Sequence, residues 1–219
     1  MPGQYTGHVE PDGDWQERTD GPVHIRKLSV ESFDNNVYVI ISTATGDALL
    51  VDVAARPDRL AEAIADVRPL AAVQTHGHWD HVRAWEAVRE QLGLEVWGHP
   101  ADAELFPRPV DRELHDGDRL AVGDLEIEVI HLPGHTEGSL LYLVAGAERP
   151  HLFSGDTLFP GGPGNTFGSA ENHRRIMDGL ETRIFARLPD ETWVYPGHGD
   201  DTTLGAERPS LAEWRARGW

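Results

Sequence analysis

The sequence predicts an α+β domain in which helices cover the outer faces of two sheets. Two observations carry this. Strand-like and helix-like segments recur in similar order in the two halves of the chain, and no change of composition marks a linker between them. At 219 residues, one compact unit with a sizeable core is the expected size class.

Residues 1–22 are polar and rich in Gly, Pro and Asp, and read as an arm or strap ahead of a single domain over residues 23–219. Strands are expected at His24–Val30, Asn36–Ser42 and Ala48–Val53, the last two joined by a turn at Thr45-Gly46-Asp47. Pro57 opens a helix to about Val67, with Leu60, Ile64 and Val67 on one face. Leu70–Val73 is an apolar run of buried-strand type, followed by a polar cluster and a helix over Val82–Leu92. Glu95–Gly98 reads as a short strand and Ala101–Phe106 as a short helix stopped by Pro107. In the second half, Leu125–Leu132, Ser139–Val144, His151–Ser154 and Thr192–Tyr195 read as strands. A Gly/Pro loop at Pro160–Gly168 leads into a helix from Glu171 to Leu188, and Ala206–Arg217 is a closing amphipathic segment.

Composition narrows the partners. A formal net charge of −18 disfavours nucleic acid and anionic membrane surfaces. The chain has no Cys, which excludes disulfides, thiolate ligands and a nucleophilic thiol, and Lys27 is its single lysine. No apolar run reaches membrane-spanning length, and Met1-Pro2-Gly3-Gln4-Tyr5 lacks the basic and apolar regions of a secretory signal, so a cytoplasmic location is expected. A homo-oligomer is compatible with all of this.

The chemistry concentrates in Thr75-His76-Gly77-His78-Trp79-Asp80-His81. Three imidazoles so close would repel one another if protonated, and a bound metal keeps them neutral. His76 and His78, two apart, point to one side of an extended segment and can grip one ion, while Asp80 and His81 are aimed at a second position. His135, Asp156 and His198 each follow a strand beside Gly, in Pro133-Gly134-His135-Thr136, Ser154-Gly155-Asp156-Thr157 and Pro196-Gly197-His198-Gly199. Five His and two Asp are the donor set that two adjacent zinc ions need. Such a pair lowers the pKa of a shared water, and the resulting hydroxide attacks an ester or thioester carbonyl, with Asp80 able to orient it. Asp52, at the end of Leu49-Leu50-Val51, is either an acceptor for a ligand imidazole or a turn cap. His173, after the Gly-rich loop, either lines the pocket or sits on a solvated helix face.

The motif His76-x-His78-x-Asp80-His81, followed by His135, Asp156 and His198, resembles the metallo-β-lactamase superfamily over residues 23–207. The segments around His135, Asp156 and His198 look most like its hydroxyacylglutathione hydrolase (glyoxalase II) branch. The resemblance implies a four-layer αβ/βα sandwich of two mixed sheets. It also implies one zinc on His76, His78 and His135, another on Asp80, His81 and His198, and a bridging Asp156. A small-molecule thioester or ester is the implied substrate. That branch places a Lys and a Tyr in the loop after the bridging Asp to hold the glutathione tail. Here Asn165 and Phe167 stand in those places as the residues expected to meet substrate, and a helical glutathione-binding domain is not expected after His198. Two rivals stay open. A persulfide dioxygenase resembles the same motifs with one iron on two His and one Asp, and a binding domain could keep the fold without the chemistry.

Overall fold

The computed structural model describes residues 5–218, so the first four residues of the predicted arm lie outside the described residues. The first sheet runs in chain order: β1 (Gln16–Asp20), β2 (Val23–Val30), β3 (Asn35–Ser42), β4 (Asp47–Val51), β5 (Arg68–Val73), β6 (Val96–Gly98) and β7 (Arg112–Glu113). Its first four strands are antiparallel neighbours and the last four are joined in parallel. From Arg119 onward come β8 (Arg119–Val122), β9 (Leu125–His131), β10 (Leu140–Ala145) and β11 (Pro150–Gly155). A small hairpin, β12 (Leu158–Phe159) with β13 (Gly162–Pro163), precedes β14 (Trp193–Pro196) and β15 (Thr202–Thr203). The second sheet has the order β15-β14-β11-β10-β9-β8, with β11 and β14 parallel.

Alternation of side chains makes the layers. In β3, Tyr38 and Ile40 face inward and meet Ile127, Val129, Tyr142 and Phe153 of the second sheet. Val37, Val39 and Ile41 face outward and pack on Leu60, Trp85 and Val88 of two helices, α1 (Pro57–Ala63) and α2 (Trp85–Glu90). On the far side, Leu141, Leu152 and Val194 pack on Ile176, Met177, Leu180 and Ile184, carried by α3 (Ala170–Gly179) and its π-helical continuation Leu180–Phe185. The two sheets therefore sit between two helical layers, as the sequence predicts. Each fully buried Leu, Ile, Val or Phe contributes about 1.5–3 kcal/mol.

Several boundaries differ from the sequence expectation, each through a tertiary contact. The arm supplies edge strand β1, and Lys27 at 0 % exposure donates to Gly7 O, Gly199 O and Asp201 Oδ1 at 2.6–2.7 Å. Helix α1 stops at Ala63 because the Arg26 guanidinium takes the Ala63 carbonyl (2.6 Å) and pairs with Asp66. Helix α2 starts at Trp85, since the amides of Arg83 and Ala84 bond to Ala54 O and Val53 O. Residues 101–106 form only a short 3₁₀ turn, Pro100–Asp102, with reverse turns after it, because the Asp102 carboxylate is bonded elsewhere. The closing segment divides at Pro209, which has no N–H to continue a helix, into α4 (Leu204–Glu207) and α5 (Leu211–Arg217).

His151 is fully buried between Asp20 Oδ2 (3.1 Å) and the Tyr195 hydroxyl (2.9 Å). Burial, with Arg18 and Arg149 adding to it and Asp20 opposing, pushes its pKa down to about 4. The unfolded chain therefore binds a proton at this position between about pH 6.5 and 4 that the folded chain refuses, so stability falls as pH drops through that window. In urea unfolding, the stability lost between pH 7.5 and 5 should be smaller in His151→Gln than in wild type, by on the order of 1–2 kcal/mol. Equal losses in the two proteins would remove His151 as the source.

Candidate metal centre

Strand ends from both sheets deliver the cluster to one edge. Asp52 follows β4, residues 76–81 follow β5, His135 follows β9, Asp156 follows β11 and His198 follows β14. The two sheets are locked together there: Leu140 N donates to Thr75 O (2.7 Å), Asn36 N to Gly197 O (2.8 Å) and the Tyr38 hydroxyl to Pro196 O (2.7 Å). Gly197 is required beside the cluster, because a Cβ at that position would fall 2.1 Å from Asp156 Oδ1.

The seven groups singled out in the sequence converge. Ligating atoms of His76, His78 and His135 lie within 4.8 Å of one another, as do those of Asp80, His81 and His198. Asp156 stands between the two sets, with Oδ2 3.5 Å from both His135 Nε2 and His198 Nε2, and Oδ1 3.4 Å from His81 Nε2. His81 and His198 bring their Nε2 atoms to 3.1 Å, and Asp80 Oδ2 lies 3.4 Å from His198 Nε2.

The far side of three of the five rings is held by a carboxylate or a backbone carbonyl. His81 Nδ1 donates to Asp52 Oδ2 (2.9 Å), His135 Nδ1 to Asn165 O (2.8 Å) and His198 Nδ1 to Phe33 O (2.8 Å). In the neutral form of each ring these bonds keep the proton on Nδ1 and turn Nε2 inward as a lone-pair donor. His76 Nε2, His135 Nε2 and Asp156 Oδ1 are buried with no hydrogen-bond partner among the described residues. Buried polar atoms are costly when unpaired, and a cation coordinated by them removes the cost. The donor set suits a divalent metal such as zinc or iron.

Charge divides the cluster in two. Burial, helped by neighbouring imidazoles, holds His76 well below the usual imidazole range and lowers His78 and His135. Burial also opposes protonation of His81 and His198, but the carboxylates outweigh it. Asp156 and Asp52 raise His81, and Asp156 with Asp80 pushes His198 up to about 10. Burial pulls Asp80 and Asp156 upward, yet His198 and His81 hold both carboxyls well below their usual range. The His76–His78–His135 face is thus a neutral three-nitrogen donor set. On the other face the carboxylates favour the protonated forms of His81 and His198, so a metal bound there displaces protons.

Asp52 is the imidazole acceptor of the two alternatives, and it also caps. Its backbone is left-handed (φ 63°), and its carboxylate accepts from Thr75 N (2.7 Å) and Thr75 Oγ1 (2.8 Å) as well as from His81. Asn165 orients His135 through its backbone carbonyl, while its side-chain oxygen accepts from Phe167 N (2.7 Å) and shapes the turn that sets Phe167 over His78 and His135. His173 is buried in α3 and does not line the cavity, in contrast to both alternatives read from the sequence.

Two residues escaped the sequence reading. Asp102 is 1 % exposed and accepts from Gly77 N (2.9 Å), Gly138 N (2.7 Å) and Thr136 Oγ1 (2.8 Å), clamping the His76–His78 loop to the His135 loop. Asn35 donates to Asp80 Oδ2 at 3.0 Å. Asn35 opens β3 and Asp102 sits in the 3₁₀ turn after β6, and a lone polar residue at such places is common to many turns.

The fold and this geometry meet the comparison with known proteins at one point: the metallo-beta-lactamase superfamily profile matches residues 31–198, the span that contains all seven groups. The chain belongs to that superfamily. It is 37% identical over 176 residues to a hydroxyacylglutathione hydrolase of Rhodospirillum rubrum, covering 80% of this chain and 65% of that enzyme. A crystal structure of ETHE1 from Myxococcus xanthus superposes with a TM-score of 0.76 at 31% identity, over 88% of this chain and 84% of the other. TTHA1623, crystallised in a di-iron-bound form, gives 0.69 at 32% identity, over 83% and 96%.

Because Asp52 holds His81 in position, Asp52→Asn should weaken metal affinity roughly 10–100-fold with the fold intact. Asn tolerates the left-handed backbone, so a loss of binding would report on the charge. Competition with a chromophoric chelator measures it, and unchanged affinity would leave Asp52 as a turn cap alone.

Proposed function

We propose that this superfamily hydrolase is a dinuclear zinc enzyme that cleaves a small-molecule thioester or ester. The observation that carries the reading is the complete donor set: three nitrogens on one side, two imidazoles and a carboxylate on the other, and Asp156 between them. His76, His78 and His135 would hold one ion, Asp80, His81 and His198 the second, with Asp156 shared. Bound there, the metals supply Lewis acidity, which activates water and polarises a carbonyl.

The chain's own residues set the rest. Asp80, fixed by the Asn35 amide, stands at the cavity with one oxygen committed, and is the catalytic residue placed to orient an attacking water. His78, Trp79, His135, Asn165 and Phe167 enclose a cavity of about 390 Å³ in which a carbonyl can approach the cluster. The reaction needs no Ser or Cys nucleophile. Assay of the zinc-loaded protein against a panel of thioesters and esters tests the proposal, and inactivity on all of them would refute it.

A second reading has one specific support, the similarity to ETHE1: a mononuclear iron oxidoreductase. Metal content separates the two. About two zinc per chain is expected, and His198→Ala should lower this toward one and cut activity severely. One iron per chain with oxygen uptake, and no change of metal content in His198→Ala, would favour the oxidoreductase.

The thiol portion is predicted to lack acidic groups. Asn165 and Phe167 supply no positive charge, and of the two Arg after the loop, Arg174 does not line the cavity and Arg175 is committed to Glu137 (2.7 and 2.9 Å). A missing charge-assisted contact costs on the order of 1.5–3 kcal/mol. S-Lactoylglutathione should therefore be turned over with a kcat/KM roughly ten- to a hundredfold below that of an uncharged thioester. Saturation at micromolar S-lactoylglutathione would show this to be wrong.

A further inference from the structure

Beside the metal centre lies an open groove of about 380 Å³, lined by the apolar Trp79, Val82, Leu105 and Pro107 and by Arg83 and Glu86, with Trp85 at its base. Trp79 is the ridge between the two, since it lines both. The far wall is tied to the same ligand loop: a Cβ on Gly77, between His76 and His78, would meet Leu105 Cβ at 2.6 Å. Leu105 is set there by its amide bond to Asp102 O (2.8 Å), and Asp102 also clamps the ligand loops. The groove and the metal centre are thus built on one rigid frame.

Large apolar side chains are exposed here to an unusual degree. Trp79 is 59 % exposed, Phe33 52 %, Leu105 45 % and Phe167 67 %, and Phe33 meets Trp79 edge-on at 5.2 Å. Contiguous apolar surface of this kind marks a binding site. Two charged side chains line the groove and each is in an ion pair: Arg83 with Glu31 while stacked on Trp79, and Glu86 through Oε1 with Arg108 at 2.7 Å. Among the described residues that line the groove no cation is left unpaired to hold an anionic ligand, and the chain's net −18 repels one.

Building on the hydrolase reading, we propose that this groove binds an uncharged aliphatic acyl chain, so that the substrate is a medium-chain acyl thioester or ester. The acyl carbon sits at the metal centre, and the chain crosses Trp79 into the groove. Hydrolysis adds water across the acyl–sulfur or acyl–oxygen bond, releasing a carboxylate and a free thiol or alcohol, with no redox change.

Two measurements test this, one without catalysis. With acyl thioesters of N-acetylcysteamine, kcat/KM should rise roughly two- to fourfold per methylene from acetyl to hexanoyl. Leu105→Trp, which fills the groove from an exposed position, should lower the hexanoyl-to-acetyl ratio at least tenfold while circular dichroism stays that of wild type. Separately, 1-octanol added to the zinc-loaded protein should change tryptophan fluorescence saturably, and Leu105→Asp should abolish the change. Saturable octanol binding with no hydrolysis of any ester or thioester would keep the groove and refute the hydrolase. Hydrolysis with a flat chain-length profile, unaltered by Leu105→Trp, would refute the groove and keep the hydrolase. A concentration-dependent dimer abolished by Leu105→Asp, together with a flat profile, would overturn the proposal in favour of a subunit interface.

Discussion

Five imidazoles and two carboxylates are crowded at one edge of the molecule, and nearly every other feature near that edge exists to make the crowding tolerable. Rings whose centroids are 4.2–5.0 Å apart cannot all be charged. Each fixed ring therefore has its outer nitrogen committed, to the Asp52 carboxylate for His81 and to backbone carbonyls for His135 and His198. The backbone carries part of the cost. Asp52 and Phe167 both adopt left-handed conformations, at φ 63° and 53°, to bring a carboxylate and a ring against the cluster.

The frame behind the cluster is held by polar contacts in unusual places for a buried sheet. The side chains of Lys27 and Asp201 are both fully buried, and the ammonium satisfies its three protons on Gly7, Gly199 and Asp201. Asp201 accepts in addition from Tyr5 and Trp193. Breaking such a pair leaves an uncompensated charge in low dielectric, so it acts chiefly by fixing geometry. Lys27 itself comes from the first sheet, Gly7 from the arm, and Gly199 and Asp201 from just after His198, so the strap, the sheet and a ligand loop are tied at one ammonium. Asp102 does the equivalent for the loops of His76 and His135. The rim is opposite in character: aromatic, exposed and with its few charges paired. A centre of fixed charge with an apolar border recognises a substrate by a carbonyl and by hydrocarbon, which limits how acidic that substrate can be.

The positions of the seven cluster residues were readable in the sequence because each lies directly beyond an apolar run, in a short segment rich in Gly. Strand residues alternate at period two, and the chain can turn sharply only where Gly permits, so ligand positions and strand ends are written in the same letters. The two-sheet, two-helical-layer arrangement was legible for the same reason. Only the tertiary structure decided what Asp52, Asp102, Asn35 and Asn165 do. Their roles depend on bonds to residues 23 to 45 positions away, such as Asp52 to His81 or Asn35 to Asp80, and no local pattern encodes such a distance. The helix ends at Ala63 and Trp85, the strand inside the arm, and the apolar groove on Trp79 and Leu105 were likewise settled by long-range packing, where a partner's hydrogen bond or surface outweighs local preference.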